Sequence, residues 1–257
     1  MHRKTAPLEW RAPGMTYFGL PYIHAAFDVA AWLASMAVFW LVTRHLLPAD
    51  ALPANRVPHP GAYAIAAGSG ALCGAMLFGT ANALLSGVHA LGFSMVGGIA
   101  GAIAAVEAFK RFTGVSGPTG VVFAAPFAAT VAVGRWGCFF SGLADFTYGT
   151  PTTLPWGVDF GEGVLRHPVQ LYESFAMAAM LVVLIQRFRA RDRFWLRNGF
   201  YLTVGWYALQ RFVWEFFKPY ATVIGPFNLF HVVCLGLLLY AGVMIRSGGR
   251  DVRWHSA

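Results

Sequence analysis

Residues 134–174 read GRWGCFFSGLADFTYGTPTTLPWGVDFGEGVLRHPVQLYES. This charged segment, punctuated by Gly and Pro, stands between two apolar runs. It begins with Arg135 at the end of one run and closes on Glu173 at the head of the next. Its turn signals (Ser-Gly, Tyr-Gly-Thr-Pro, Leu-Pro-Trp-Gly) and the short alternation GVDFGEGVL predict a compact head of turns and short strands. An irregular connection of this length is usually functional.

The surrounding chain decides what the segment interrupts. Of 257 residues, 57% are hydrophobic and 12% charged, and the mean hydropathy is +0.56. A soluble domain carries about 25% charged residues. Several apolar runs approach the ~20 residues that span a bilayer as a helix. The composition predicts an all-α polytopic membrane protein, one transmembrane domain over residues 1–257 with an extracytoplasmic head inserted over 139–168.

Seven spans are expected, roughly 23–43, 61–80, 92–109, 118–138, 169–186, 198–217 and 227–245. The second and third are rich in Gly and Ala, which suits close helix contact in lipid. Basic residues cluster after spans 1, 3, 5 and 7: Arg44 and Arg56; Lys110 and Arg111; Arg187, Arg189, Arg191, Arg193 and Arg197; Arg246, Arg250 and Arg253. With seven alternating spans all four clusters share a side, and the positive-inside rule makes that side cytoplasmic. The amino terminus is then outside and the carboxyl terminus inside, a multi-pass protein of a bacterial cytoplasmic membrane. Arg3, Lys4 and Arg11 run against the trend. They also argue, with Glu9, against a signal peptide. The basic balance reflects topology and anionic lipid, so no nucleic-acid partner is expected.

Ionisable residues within this frame gather at one depth. Arg135 ends span 4, Glu173 opens span 5, Arg211 and Glu215 lie near the outer end of span 6, and His24 and Asp28 open span 1. A charge in hydrocarbon is costly and usually faces the protein interior, where it serves a function. A proton or ion path would place such groups at several depths. A single level under a structured loop predicts instead a pocket for an anionic headgroup, with guanidinium as the natural phosphate ligand. Glu107 is expected to pair locally with Lys110 and Arg111, and His231 to be a packed core histidine. The three cysteines show neither metal-ligand spacing nor a disulfide framework. Cys73 and Cys234 are expected as small buried residues, and no metal or organic cofactor is implied.

GRWG, YGTPTTLPWGVDF and RHPVQLYES together resemble the signature of the prolipoprotein diacylglyceryl transferase family, G-R-x-G-N-F, G-x-P-T-x-L-P-W-G and R-H-P-x-Q-L-Y-E in that order. VGGIAG at 96–101 resembles the family's H-G-G-x-x-G, and RFVWEFFK at 211–218 its R-x-x-x-E-F-F-R. The resemblance implies seven transmembrane helices with the amino terminus outside. It also implies transfer of the diacylglyceryl group of phosphatidylglycerol to the thiol of a prolipoprotein's lipobox cysteine. It assigns Arg135 and Arg211 to the lipid headgroup, Glu215 as their partner, and Gly149 to the head. Gly97 and Gly98 belong to the glycine motif, and Arg166, His167, Gln170, Tyr172 and Glu173 to R-H-P-x-Q-L-Y-E. Val96 stands where the family has histidine, and Cys138 where it has asparagine. The acidic residue that follows the asparagine has no clear equivalent, Asp145 being displaced.

The implied reaction needs a thiolate nucleophile and stabilisation of charge on the departing phosphate. Arg135 and Arg211 suit the second need. His24, His167 and Glu215 are candidates for the first. Two other readings stay open: a lapsed or repurposed paralogue that binds phospholipid headgroups, and a small-anion transporter.

Overall fold

The computed structural model describes residues 21–52 and 57–247. The described residues form seven long helices: α1 Pro21–Leu41, α2 Pro60–Leu85, α3 Met95–Thr113, α4 Val121–Ser141, α5 Val169–Arg189, α6 Arg193–Glu215 and α7 Leu229–Ser247. α1 continues into a π-helical turn, Val42–Leu46. Five of the seven, α1, α2, α4, α5 and α7, are long and apolar enough to cross a membrane. α3 and α6 carry the charges that lower their hydropathy, among them Glu107 and Lys110, and Arg197, Arg211 and Glu215. Arg3, Lys4, Arg11, Arg56, Arg250 and Arg253 lie outside the described residues.

Helix ends follow local chemistry. Ser94 caps α3 by accepting from the Gly97 amide at 3.3 Å, and Gly114 ends the helix with φ +70°, a left-handed conformation that glycine adopts freely. Asp192 caps α6 through the Phe194 and Trp195 amides.

α4 is the centre. It packs on α1, α5 and α6 and buries Ala124, Ala125, Ala128, Ala129 and Val131. The outer helices reverse the soluble pattern. α1 exposes Trp32, Leu33, Met36 and Trp40, and α7 exposes Leu235, Leu239 and Val243. Apolar faces this extensive fit lipid, where helices satisfy their backbone internally.

α2 and α3 meet through glycine. A Cβ at Gly101 would collide with the Gly70 carbonyl oxygen and lie 2.8 Å from Gly74 Cα, and one at Gly97 would lie 2.5 Å from Gly74 O. Small residues at four-residue spacing let the backbones touch. Gly101→Ala is therefore expected to cost about 1–3 kcal/mol through overpacking. Gly236→Ala, which meets nothing within 4 Å, serves as a neutral control, and thermal unfolding in detergent compares the two.

Two hairpins complete the fold of the described residues. In the α4–α5 insertion, β1 Val158–Asp159 pairs antiparallel with β2 Leu165–Arg166. Their turn is organised by Asp159 Oδ1, which accepts from the Gly161, Glu162 and Gly163 amides at 2.8–3.0 Å. These bonds, the Gly161 amide first, hold the Asp159 carboxyl below its ordinary range. A second hairpin, β3 Thr222–Ile224 with β4 Phe227–Asn228, links α6 to α7. The apolar reading of the sequence did not foresee it.

Candidate functional site

The site is assembled at the carboxyl-terminal ends of α4 and α6 and the amino-terminal ends of α1, α5 and α7. Glu173, near the amino-terminal end of α5, is fully buried and gathers three cations. Arg135 of α4 places Nε 2.7 Å from Glu173 Oε2. Arg211 of α6 donates Nη1 to both carboxylate oxygens at 2.6 and 2.8 Å. Lys218, just past α6, donates Nζ to Oε1 at 2.7 Å.

Glu215 forms the other half of the cluster. Its Oε1 is 2.5 Å from Arg211 Nε, and its Oε2 accepts from Asn228 Nδ2 at 2.9 Å. Asn228 in turn accepts from the His231 amide at 3.1 Å. The i,i+4 pair Arg211–Glu215 thus does more than neutralise itself, because Arg211 also binds Glu173 on another helix. Three cations face two carboxylates, a formal excess of one positive charge. Arg135, Glu173, Arg211, Glu215 and Lys218 are all buried, so the excess sits in a medium of low dielectric, where an anion is strongly favoured. The Tyr207 hydroxyl is buried with no protein partner among the described residues, and it shares the electrostatic neighbourhood of Arg211 and Arg135. A buried hydroxyl in that state calls for an acceptor.

Arg135 joins this cluster to a second one. Its Nη1 lies 3.7 Å from Cys138 Sγ, one helical turn on. Cys138 Sγ is 3.8 Å from His24 Nε2. The same His24 nitrogen lies 3.4 Å from Asp145 Oδ1. His24 Nδ1 is 2.8 Å from Asp28 Oδ2, and Thr147 Oγ1 donates to Asp145 Oδ2 at 2.7 Å. Gln170, fully buried on α5, donates Nε2 to Thr147 at 3.5 Å.

The remaining predicted residues hold the insertion in place. Arg166 pairs with Glu162, which keeps the guanidinium protonated to higher pH than usual, and it donates to the Gly149 carbonyl at 3.2 Å. Gly149 is required sterically, since a Cβ there would strike the backbone of His167. His167 packs tilted against Phe217 with ring centroids 4.7 Å apart, and its Nδ1 lies 3.5 Å from Tyr172 Oη. Tyr172 accepts from Trp156 Nε1 at 2.8 Å. Gly97 and Gly98 face α2 and enter no hydrogen bond or ion pair of the two clusters. Val96 is fully buried in the apolar core.

Other expectations are met or corrected locally. Glu107 pairs with Lys110 at 3.0 Å, and His231 is buried and bonded to Asn228. Cys234 is buried, but Cys73 lies exposed on α2, on a face turned outward. Lys218 and Asn228 were not singled out from the sequence. Lys218 had a signal: it is the last residue of RFVWEFFK, one heptad after Arg211. At the opposite helix ends, an apolar cavity of about 200 Å³ is lined by Tyr63, Phe123, Phe127, Tyr201 and Tyr240, among others.

A lipid-facing helical bundle with a buried ionic cluster at one end defines a membrane protein with an internal polar site. The chain belongs to the prolipoprotein diacylglyceryl transferase family, whose profile, described as "Prolipoprotein diacylglyceryl transferase", matches residues 18–246. Three similar proteins carry the name phosphatidylglycerol–prolipoprotein diacylglyceryl transferase. That of Finegoldia magna is 33% identical over 129 residues, 49% of this chain and 48% of the relative. That of Geobacter sulfurreducens is 33% identical over 172 residues, 62% and 64% of the two chains. That of Solidesulfovibrio magneticus is 32% identical over 201 residues, 67% and 74%. The chain thus spans about half of the first relative's length and just under two thirds of the second's. No solved structure matches.

Proposed function

We propose that the chain transfers the diacylglyceryl group of phosphatidylglycerol, or a related anionic phospholipid, to the cysteine thiol of a prolipoprotein in a bacterial cytoplasmic membrane. The names of its relatives support the reaction. The observation that carries it here is the excess cation beside Glu173, which suits a phosphodiester headgroup. The thiolate sulfur forms a bond to the glycerol carbon as the carbon–oxygen bond to phosphate breaks. That electron pair leaves with glycerol phosphate. Arg135, with Arg211 and Lys218 behind it, stabilises the charge that develops on the phosphate. Glu173 and Glu215 hold those cations in position.

Of the three candidates to receive the thiol, His24 has the best placement. His167 is fastened to Tyr172 and Phe217, and Glu215 is taken up by Arg211 and Asn228. Transfer of radiolabelled lipid to a lipobox peptide in proteoliposomes tests the proposal, and no transfer by folded protein would overturn it. Val96→Ala trims only an apolar contact, so it is expected to leave transfer nearly intact. A large loss would show that the position retained chemistry. The burial of Val96 among apolar side chains, where the family motif has histidine, favours one rival, a repurposed paralogue that binds lipid without transferring it. That rival predicts lipid binding without product.

The proposal includes all seven helices as spans, with the amino terminus outside. At 19 residues, α3 rises about 28 Å, close to the ~30 Å of a hydrocarbon core. The site and the α4–α5 insertion then lie at the outer face, while Lys110, Arg187 and Arg246 lie at the inner one. Reporter fusions after residue 191 and after residue 247 are both expected to give cytoplasmic signals. A periplasmic signal at either would overturn the orientation.

A further inference from the structure

The side chains of His24, Cys138 and Asp145 converge from α1, α4 and the turn that follows α4, and their ligand atoms all lie within 4.8 Å of one another. Two of the three separations match the edges of a tetrahedral site. A zinc ion holds sulfur at ~2.3 Å and nitrogen or carboxylate oxygen at ~2.0–2.2 Å, so tetrahedral edges are about 3.6 Å for S···N and about 3.4 Å for N···O. The corresponding separations are 3.8 Å from Cys138 Sγ to His24 Nε2 and 3.4 Å from His24 Nε2 to Asp145 Oδ1.

The surroundings point the same way. Asp28 Oδ2 lies 2.8 Å from His24 Nδ1, so with the proton held on Nδ1 it is Nε2 that faces Cys138 and Asp145. This is the carboxylate–histidine arrangement found behind metal ligands. Thr147 holds the other oxygen of Asp145 at 2.7 Å. An imidazole nitrogen, a carboxylate and a thiol at these separations can share a single cation. Thiolate, carboxylate and neutral imidazole balance a divalent ion.

We infer that His24, Cys138 and Asp145 form a three-ligand site for a divalent transition ion, zinc foremost, whose open fourth position receives the acceptor cysteine. The inference rests on the transferase reading and deepens it. A thiol that coordinates zinc is deprotonated outright. As the acceptor sulfur takes the fourth position, its proton passes to water at the outer face. The sulfur then forms the bond to the glycerol carbon, and the electron pair of the breaking carbon–oxygen bond departs with glycerol phosphate. The thioether product is a weaker ligand and leaves. The site thus supplies thiol activation in a chain that has Val96 where its family has histidine. Cys138, which replaces the family's asparagine, becomes a ligand.

Cobalt(II) titrated into the chelator-treated full-length chain in detergent tests the inference. One ion per chain is expected, with tetrahedral visible absorption and a thiolate-to-cobalt charge-transfer band, both displaced by zinc. Cys138→Ser should abolish the charge-transfer band. Asp28→Asn should weaken binding about ten- to a hundredfold while the band persists. Thermal unfolding establishes that each variant is folded. Cobalt that binds without the thiolate band, or a band that survives Cys138→Ser, would overturn the site. Lipid transfer then separates the two readings. Full transfer by chelator-treated protein overturns the metal's role and leaves the transferase reading standing. Stoichiometric cobalt with no transfer to any lipobox peptide retains the site and overturns the transferase.

Discussion

Glu173→Gln is expected to destabilise the chain by about 3–5 kcal/mol, the cost of breaking a buried charge network on one side. Glu173 is the only carboxylate that Arg135 meets among the described residues, and it also binds Arg211 and Lys218. The amide keeps the volume but removes the charge, so three buried cations are left with Glu215 alone. Fluorescence-monitored thermal unfolding in detergent reads the loss. Added phosphate should recover part of it, because an anion can take the place of the carboxylate. A variant that melts with the wild type would show that the cluster is hydrated and that the cations need no internal partner.

The second large effect belongs to Arg135. On the proposed function, Arg135→Ala is expected to remove a charge-assisted contact to the headgroup phosphate worth about 1.5–3 kcal/mol, or roughly ten- to a hundredfold in turnover. Arg135→Lys keeps the charge but cannot reach both Glu173 and the Cys138 side with one planar group, so it is expected to be partly defective. Arg135 is the better test than Arg211, since Glu173 keeps two partners without it, whereas Arg211→Ala removes a partner from both Glu173 and Glu215 and leaves Glu215 with Asn228 at 2.9 Å and Lys218 at 3.7 Å. Wild-type lipid binding and turnover in folded Arg135→Ala would overturn the headgroup reading.

The helices were legible because apolar length bounded by Pro, Gly and Arg is a local signal. Each of the seven expected spans overlaps a helix of the structure and differs at its ends by a few residues. The depth of Arg135, Glu173, Arg211 and Glu215 could be read for the same reason, since position in a span fixes height. Height does not fix azimuth. That is why the sequence could not show that Glu173 would hold three cations, or that His24 would reach Cys138 across 114 residues of chain. Lys218 was hidden differently. It lies beyond the last turn of α6, where a lysine ordinarily finds water, and only the fold encloses it. Gly97 and Gly98 carry a motif resemblance whose physical content, at these two residues, is the contact with α2.

The α4–α5 insertion is fastened along its length. The Thr150 amide donates to the Phe217 carbonyl at 2.6 Å, next to Lys218, while Trp156 bonds Tyr172 and His167 packs against Phe217. Lifting it would tear at the chain that carries one of the three cations. The other flank is more open: His24 and Asp28 on α1 keep 36% and 59% of their side-chain surface accessible. On the proposed function, traffic to the site would therefore be directed sideways. A lipid already in the leaflet would arrive by two-dimensional diffusion along α1, and an acceptor tethered to the same membrane would search a plane rather than a volume.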